Sequence, residues 1–161
     1  MNTSYKILST LLVLCMIITG VILFSLPSII DAAFKGTTLL QLSNPNIVTG
    51  VTIGTYICSV PFVIALFLLK RLGKSLSSEN QLIKKVSSIF KGISICAFIE
   101  FCLINIITFI IAFLYIHDKN AFFSIIAESG IISISLLVVG FVCVLLSNFF
   151  NKVIELNNAT I

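Results

Sequence analysis

Glu100 is the residue whose type and position most directly suggest chemistry, because it is a carboxyl group inside the long apolar segment 93–116. It stands about seven residues into that segment. At a rise of 1.5 Å per residue, it would lie about 10 Å below the edge of a hydrocarbon core. A charged side chain at such a depth costs about 2.5–3.5 kcal/mol, so Glu100 is expected to face other helices or a wet cavity.

Two interpretations of Glu100 follow. No basic residue in another apolar segment can neutralise it, and desolvation without a cation favours the protonated carboxyl group. A protonated Glu100 would make a structural hydrogen bond to Thr19, to Ser59 or to a backbone carbonyl freed by Pro61. The alternative is a functional site that binds a proton, a cation or a ligand. The structural interpretation is preferred at this stage because the sequence shows no partner charge.

The cysteines form a second candidate set. Cys96 precedes Glu100 by one helical turn, so the two side chains share a helical face and are the one hint of a ligand-binding pair. All five cysteines lie within apolar segments, without C-x-x-C spacing and without a histidine nearby in those segments. They are therefore expected to be packing residues, and neither a metal nor a cofactor is predicted. His117, the single histidine, is expected to be solvated at a helix end.

An enzymatic function is not expected from this sequence. It has no evident nucleophile–base pair, no glycine-rich phosphate loop and no cluster of carboxylates at a membrane face.

Four apolar segments are the elements that would position these side chains. Of the 161 residues, 58% are hydrophobic and 10% are charged, which excludes a soluble or a disordered chain. About 20 apolar residues suffice to cross a bilayer as a helix, in which the backbone satisfies its own hydrogen bonds. The predicted spans are residues 7–26, 47–69, 93–116 and 131–150. They predict an all-α fold in which residues 1–161 form one domain, an integral membrane four-helix bundle in the lipid bilayer.

The basic residues predict the orientation of this bundle. One side would carry Lys6, Lys152 and the six basic residues between spans two and three, and the other side Lys35 and Lys119. Positive residues in short loops stay in the cytoplasm, so both termini are predicted to be cytoplasmic. A cleaved signal peptide at the first span is a weaker alternative, because its apolar stretch is longer than a signal h-region.

The connections between the spans differ in what they predict. The outer connections are placed at residues 27–46, with a short amphipathic stretch ending at Gly36, and at residues 117–130. The cytoplasmic connection predicts an amphipathic helix over residues 79–91, which begins with a capping-box pattern at residues 78–81. This helix would lie on the inner leaflet or lead straight into the third span.

The cytoplasmic connection is also the expected docking place for a regulatory protein. The candidate residues are Lys74, Glu79, Asn80, Lys84 and Lys85. Direct nucleic-acid binding is not expected, because the positive-inside rule and anionic lipid already account for these cations.

Small residues predict where helices approach one another closely. Gly50 and Gly54 form a GxxxG stripe in the second span, Pro61 is expected to kink that span, and Gly140 begins a similar stripe in the fourth. Packing within one chain is the preferred interpretation. A homodimer through Gly50 and Gly54 is the alternative.

The four spans and the run Gly-Lys-Ser-Leu-Ser-Ser-Glu-Asn at residues 73–80 resemble the YoaS-like family, a domain of unknown function among small bacterial membrane proteins. The chain end, residues 155–161, resembles the acidic ending of that family but lacks its acidic pair before Thr160. The resemblance implies a bacterial cytoplasmic membrane and a small helix-turn-helix regulator encoded nearby. It assigns no catalytic residues.

These features predict a non-enzymatic membrane protein that acts as a sensory or regulatory module with a cytoplasmic partner. The alternative, from a different functional class, is a small transport or immunity-type protein with an intramembrane pocket around Glu100.

Overall fold

The computed structural model describes residues 3–36, 45–75, 82–116 and 119–159. Within these ranges every residue except Ile116 is helical. The four helices are α1 (Thr3–Gly36), α2 (Pro45–Ser75), α3 (Leu82–Tyr115) and α4 (Lys119–Ala159). Each contains a stretch long and apolar enough to cross a membrane, and these stretches are Thr10–Ala32, Asn46–Leu72, Lys85–Tyr115 and Phe122–Val153. The predicted all-α class with four candidate spans is confirmed.

The helices are longer than the predicted spans. α1 continues past Leu26 and through Pro27 to Gly36, so the first part of the expected outer connection 27–46 is helical. α4 begins at Lys119, so most of the expected connection 117–130 is helical as well. In the first turns of α4 the Phe122 ring meets the Phe109 ring of α3 edge-on, with 6.1 Å between the ring centroids.

The amphipathic segment before the third span belongs to α3. This helix runs without interruption from Leu82 into its apolar stretch, Lys85–Tyr115. The capping-box residues 78–81 lie outside the described residues.

The helices pack in chain order. Among the described residues, close backbone approaches join α1 to α2, α2 to α3, and α3 to α4, and no other pair. The described part of the chain is therefore an open row of helices, in which α1 is held by α2 alone.

Polar contacts at two levels align α3 with α4. Near the start of α3, Ser87 and Ser147 are both buried, and each hydroxyl lies 3.0 Å from the backbone carbonyl oxygen of the other residue. Further along, the Asn105 side-chain amide donates to the Ser133 hydroxyl at 3.0 Å. Because these contacts lie far apart on the same two helices, together they fix the antiparallel register.

Glycines allow close contact at the other interfaces. A Cβ atom on Gly54 of α2 would lie 2.6 Å from Cγ2 of Ile107 in α3. A Cβ atom on Gly92 of α3 would lie 3.0 Å from Cδ1 of Leu68 in α2. Each glycine therefore receives a large side chain of the facing helix. The contact between α1 and α2 is marked by the Tyr56 hydroxyl, which donates to the Leu23 carbonyl at 2.9 Å.

Buried apolar side chains cluster near one end of the molecule, while many others are exposed. A cluster of Leu72, Val86, Ile89, Ile93 and Cys143 joins α2, α3 and α4 near the basic end of the molecule. Most large apolar side chains elsewhere are exposed, and Phe24 on α1 is 91% exposed. A surface of this kind is unfavourable in water and suits contact with lipid.

A candidate ligand cavity around Glu100

A cavity of about 660 Å³ lies between α1, α2 and α3. Ile22 of α1, Val51 of α2 and Ile104 of α3 contribute apolar walls, and Ile125 of α4 also lines the space. The cavity exists because α1 and α3 both pack on α2 without closely approaching each other in the described part of the chain. Its volume is within the range of about 300–1,000 Å³ that is typical of small-molecule sites.

Glu100 lines this cavity from the middle of α3. Its side chain is half-buried. Among the described residues, no hydrogen bond or ion pair reaches its carboxyl group. Glu100 therefore lies in the wall of a cavity between helices.

The hydrogen-bond partners expected for Glu100, Thr19 and Ser59, make no bond with its carboxyl group in the described part of the chain. Thr19 and Ser59 line the same cavity. The Thr19 hydroxyl donates to the Cys15 carbonyl at 2.8 Å, and the Ser59 hydroxyl donates to the Tyr56 carbonyl at 2.7 Å. In an apolar helix the carbonyl three or four residues earlier is always within reach of such a hydroxyl. Each hydroxyl oxygen can still accept a hydrogen bond, but none comes from Glu100 within the described residues.

Three hydroxyl groups that line the cavity donate to backbone carbonyls of their own helices. Thr55 also lines it, and its hydroxyl donates to the Val51 carbonyl at 2.8 Å. The hydroxyl protons of Thr19, Thr55 and Ser59 are thereby directed into the backbone, and their oxygen lone pairs remain for the cavity. None of the lining residues within the described ranges is Lys, Arg, His, Asn or Gln.

The two cysteines nearest to Glu100 differ in position. Both Cys96 and Cys58 are close enough to interact electrostatically with its carboxyl group. Cys96, the predicted partner, is buried and does not line the cavity, whereas Cys58 does. The sequence feature that could have placed Cys58 near Glu100 is its position four residues after Gly54, on the small-residue stripe of α2.

The residues predicted for helix packing separate into two groups. Gly50 and Gly54 face α3 beside the cavity, and a Cβ atom on Gly50 would lie 3.8 Å from Tyr115 Cε2. Gly140 lies on the opposite side of α3, where a Cβ atom would meet the Phe98 ring at 3.1 Å. Pro61 is buried within α2, which remains a continuous helix.

The predicted docking residues are not part of the cavity. Lys74 falls within the last turn of α2, and Lys84 and Lys85 within the first turn of α3. Lys85 is exposed, while Glu79 and Asn80 lie outside the described residues. The helices that wall the cavity, α2 and α3, are therefore the ones that end and begin at this basic segment.

Metal-ligating side chains are scattered. Within the described ranges, no three His, Cys, Asp or Glu residues come close enough to hold a metal ion together. His117 lies outside those ranges.

A fold of four apolar helices defines a candidate multi-pass membrane protein, and a cavity lined by Glu100 lies between three of these helices. Comparison of the chain with models of known protein families, with curated proteins and with solved structures finds no match. The YoaS-like resemblance therefore stays a prediction.

Proposed function

We propose that this protein is a non-enzymatic sensory or regulatory module of a bacterial cell membrane, with both termini in the cytoplasm. In this proposal a small ligand occupies the cavity between α1, α2 and α3, and a cytoplasmic protein responds to that occupancy. The observation that carries the proposal is the cavity of about 660 Å³ with Glu100 in its wall. A site that is apolar with a few convergent polar groups is the usual form of a ligand pocket.

The arrangement of the helices offers a route for the response. α2 and α3 wall the cavity, and basic residues stand at the end of α2 and the beginning of α3. A ligand that changes the separation of α2 and α3 would change the spacing of these basic residues. Exposed cations, among them Lys70, Arg71, Lys85 and Lys91, make the same end suitable for an acidic protein surface. A small helix-turn-helix regulator is the partner that the resemblance implies.

Recruitment of that regulator tests the proposal. The regulator encoded beside this protein is fused to a fluorescent protein, and its membrane fraction is measured in cells with the full-length chain. Wild type is expected to recruit it, and the double variant Lys84→Glu, Lys85→Glu to release it. Lys152→Glu on α4 is the matched control, because it changes an exposed charge at the same end outside the connecting segment. A regulator that stays soluble with the wild-type chain would contradict the proposal.

A second candidate function is a small transport or immunity-type protein. The observation that favours it is that Glu100 is ionisable and lines a cavity within a candidate span, since such residues often mark substrate or ion pathways. Flux of a labelled substrate into liposomes containing the pure protein would support transport. Protection of cells from a membrane-active peptide would support immunity. Recruitment of a regulator without either effect would exclude both.

A homodimer through Gly50 and Gly54 also stays a prediction. Gly54 packs against Ile107 of its own chain, so a dimer on this stripe would need α3 to move aside.

A further inference from the structure

The chemistry of the cavity wall points to one class of ligand. We propose that the cavity binds a lipophilic organic cation, a molecule with a bulky apolar body and one positive charge that pairs with the Glu100 carboxylate. This inference rests on the proposed ligand-binding function of the same cavity and specifies what it takes.

The polar side chains in the described part of the cavity wall are hydroxyls and one carboxyl group. The hydroxyls of Thr19, Thr55 and Ser59 already donate to carbonyls of their own helices, so they present lone pairs to the cavity. Thr108 and Tyr115 add two further hydroxyls, which can donate as well as accept, so the charge of the wall decides the balance. Within the described residues that line it, the cavity has a carboxyl group but no basic or amide side chain. An anionic ligand would meet no compensating charge, whereas a cation would.

Among the described residues, the Glu100 carboxyl group lacks a protein partner that would compensate its charge. A carboxyl group in a candidate span is retained at a cost unless a partner or water compensates it. Its carboxyl group has no such protein partner in the described part of the chain. A bound cation would supply the missing partner, and Coulomb attraction is stronger at this apolar site than in water.

The cavity has mainly apolar walls and is open between α1 and α3. Its other walls are aliphatic and aromatic, and they include Phe62 and Tyr115, whose ring faces attract cations. α1 packs on α2 alone in the described part of the chain, so the side of the cavity between α1 and α3 is not sealed by close helix packing. A ligand dissolved in the bilayer can enter through that side, which requires an apolar body.

Two probe ions of nearly the same shape and opposite charge test this inference. Equilibrium dialysis of the full-length protein in detergent measures binding of tetraphenylphosphonium, a cation, and tetraphenylborate, an anion, above the uptake by protein-free micelles. Wild type is expected to bind the cation at least about tenfold more tightly than the anion, a difference of about 1.4 kcal/mol. This comparison needs no variant. Equal affinities for the two ions would overturn the inference.

Variants then locate the charge. Glu100→Gln keeps the shape and removes the charge, and is expected to weaken cation binding at least about tenfold. Glu128→Gln is the matched control, because Glu128 is exposed on α4 and does not line the cavity. It is expected to bind the cation like wild type. Cation binding that survives Glu100→Gln in a folded protein would overturn the inference.

A cavity-filling variant separates this inference from the proposed function. Val51→Phe adds bulk to the cavity wall and is expected to block the cation. If Val51→Phe blocks both ions equally while Glu100→Gln affects neither, the cavity is a ligand site without charge selectivity. The cation inference then fails and the proposed function stands. If the cation does not bind, the inference fails, and regulator recruitment decides the proposed function separately.

Discussion

Serine side chains show how single polar residues hold apolar helices together. The Ser87 and Ser147 hydroxyls lie 3.0 Å apart, and each also lies 3.0 Å from the carbonyl oxygen of the other residue. Both residues are buried between α3 and α4. In a membrane the hydrophobic effect gives helices little reason to associate, so close packing and such hydrogen bonds carry more of the association.

The Ser87–Ser147 contact predicts a measurable coupling. In a double-mutant cycle with Ser87→Ala and Ser147→Ala, the interaction free energy of unfolding is expected to be about 0.6–1.7 kcal/mol. Ser135→Ala is the control, because its exposed hydroxyl donates to Ile132 of its own helix at 2.7 Å. Unfolding in detergent, followed by circular dichroism, measures all five proteins: wild type, the two single variants, the double variant and the control. Additive effects of the two alanine substitutions would contradict the structure at this contact.

The sequence alone was enough to single out Glu100 as a candidate residue. It was not enough to predict which side chains surround it. Glu100 was identifiable because a single ionisable residue in an apolar segment is costly whichever way that face of the helix points. The choice between Cys96 and Cys58 was not, since it depends on which face of α3 meets α2. The hydrogen bonds of Thr19 and Ser59 within their own helices were not predicted either, although local geometry makes such bonds available.

At the scale of helices, glycines decide how closely α2 and α3 approach. Leu68 packs on Gly92 and Ile107 on Gly54, one contact on either side of the middle of the pair. Because the two helices are antiparallel, these contacts define one register. That register also determines that Glu100 and Cys58 line the same cavity.

Substitution of Gly54 tests the α2–α3 contact. Gly54→Leu places a side chain where Ile107 lies 2.6 Å from an added Cβ atom, so it is expected to lower stability by about 1–3 kcal/mol. Gly20→Leu on α1 is the matched control, since an added Cβ atom there meets nothing within 4 Å. Thermal unfolding in detergent compares the two variants with wild type. An equal effect of both substitutions would mean that Gly54 does not lie in a close contact.

The four helices were predictable and their ends were not. Apolar length alone places the spans, but α1 continues through Pro27 and α4 starts before its apolar stretch. A proline removes only one backbone hydrogen bond, and a helix can continue through it when packing holds both sides. The early start of α4 accompanies the contact between Phe109 and Phe122, and no local sequence pattern specifies such a pair.

In the described part of the chain the helices form an open row, in which α1 approaches α2 alone. This arrangement could not be predicted from four hydrophobic segments, because a closed bundle has the same sequence periodicity. It matters for the proposed function, since the gap between α1 and α3 leaves room for the cavity. In a closed bundle the same residues would be packed against one another.

The orientation of the row is a separate prediction from the distribution of basic residues. Reporter fusions after Leu76 and after Ile161 are expected to show cytoplasmic activity, and fusions after Gln41 and Asn120 external activity. The physical reason is the concentration of lysine and arginine between spans two and three. External activity at Leu76 together with cytoplasmic activity at Gln41 would reverse the topology. It would also move the proposed partner to the other side of the membrane.

The central claim of this account is that Glu100 serves ligand binding and not folding. The most direct measurement is the thermal unfolding of Glu100→Gln and Glu100→Leu in detergent, compared with wild type. Its carboxyl group has no hydrogen-bond partner within the described residues, so neither variant is expected to unfold at a lower temperature. Glu100→Leu is expected to unfold at the same or a higher temperature, because it removes a desolvated carboxyl group. A loss of about 1–3 kcal/mol in Glu100→Leu with a stable Glu100→Gln would contradict the claim, because that pattern is expected when a structural hydrogen bond is removed.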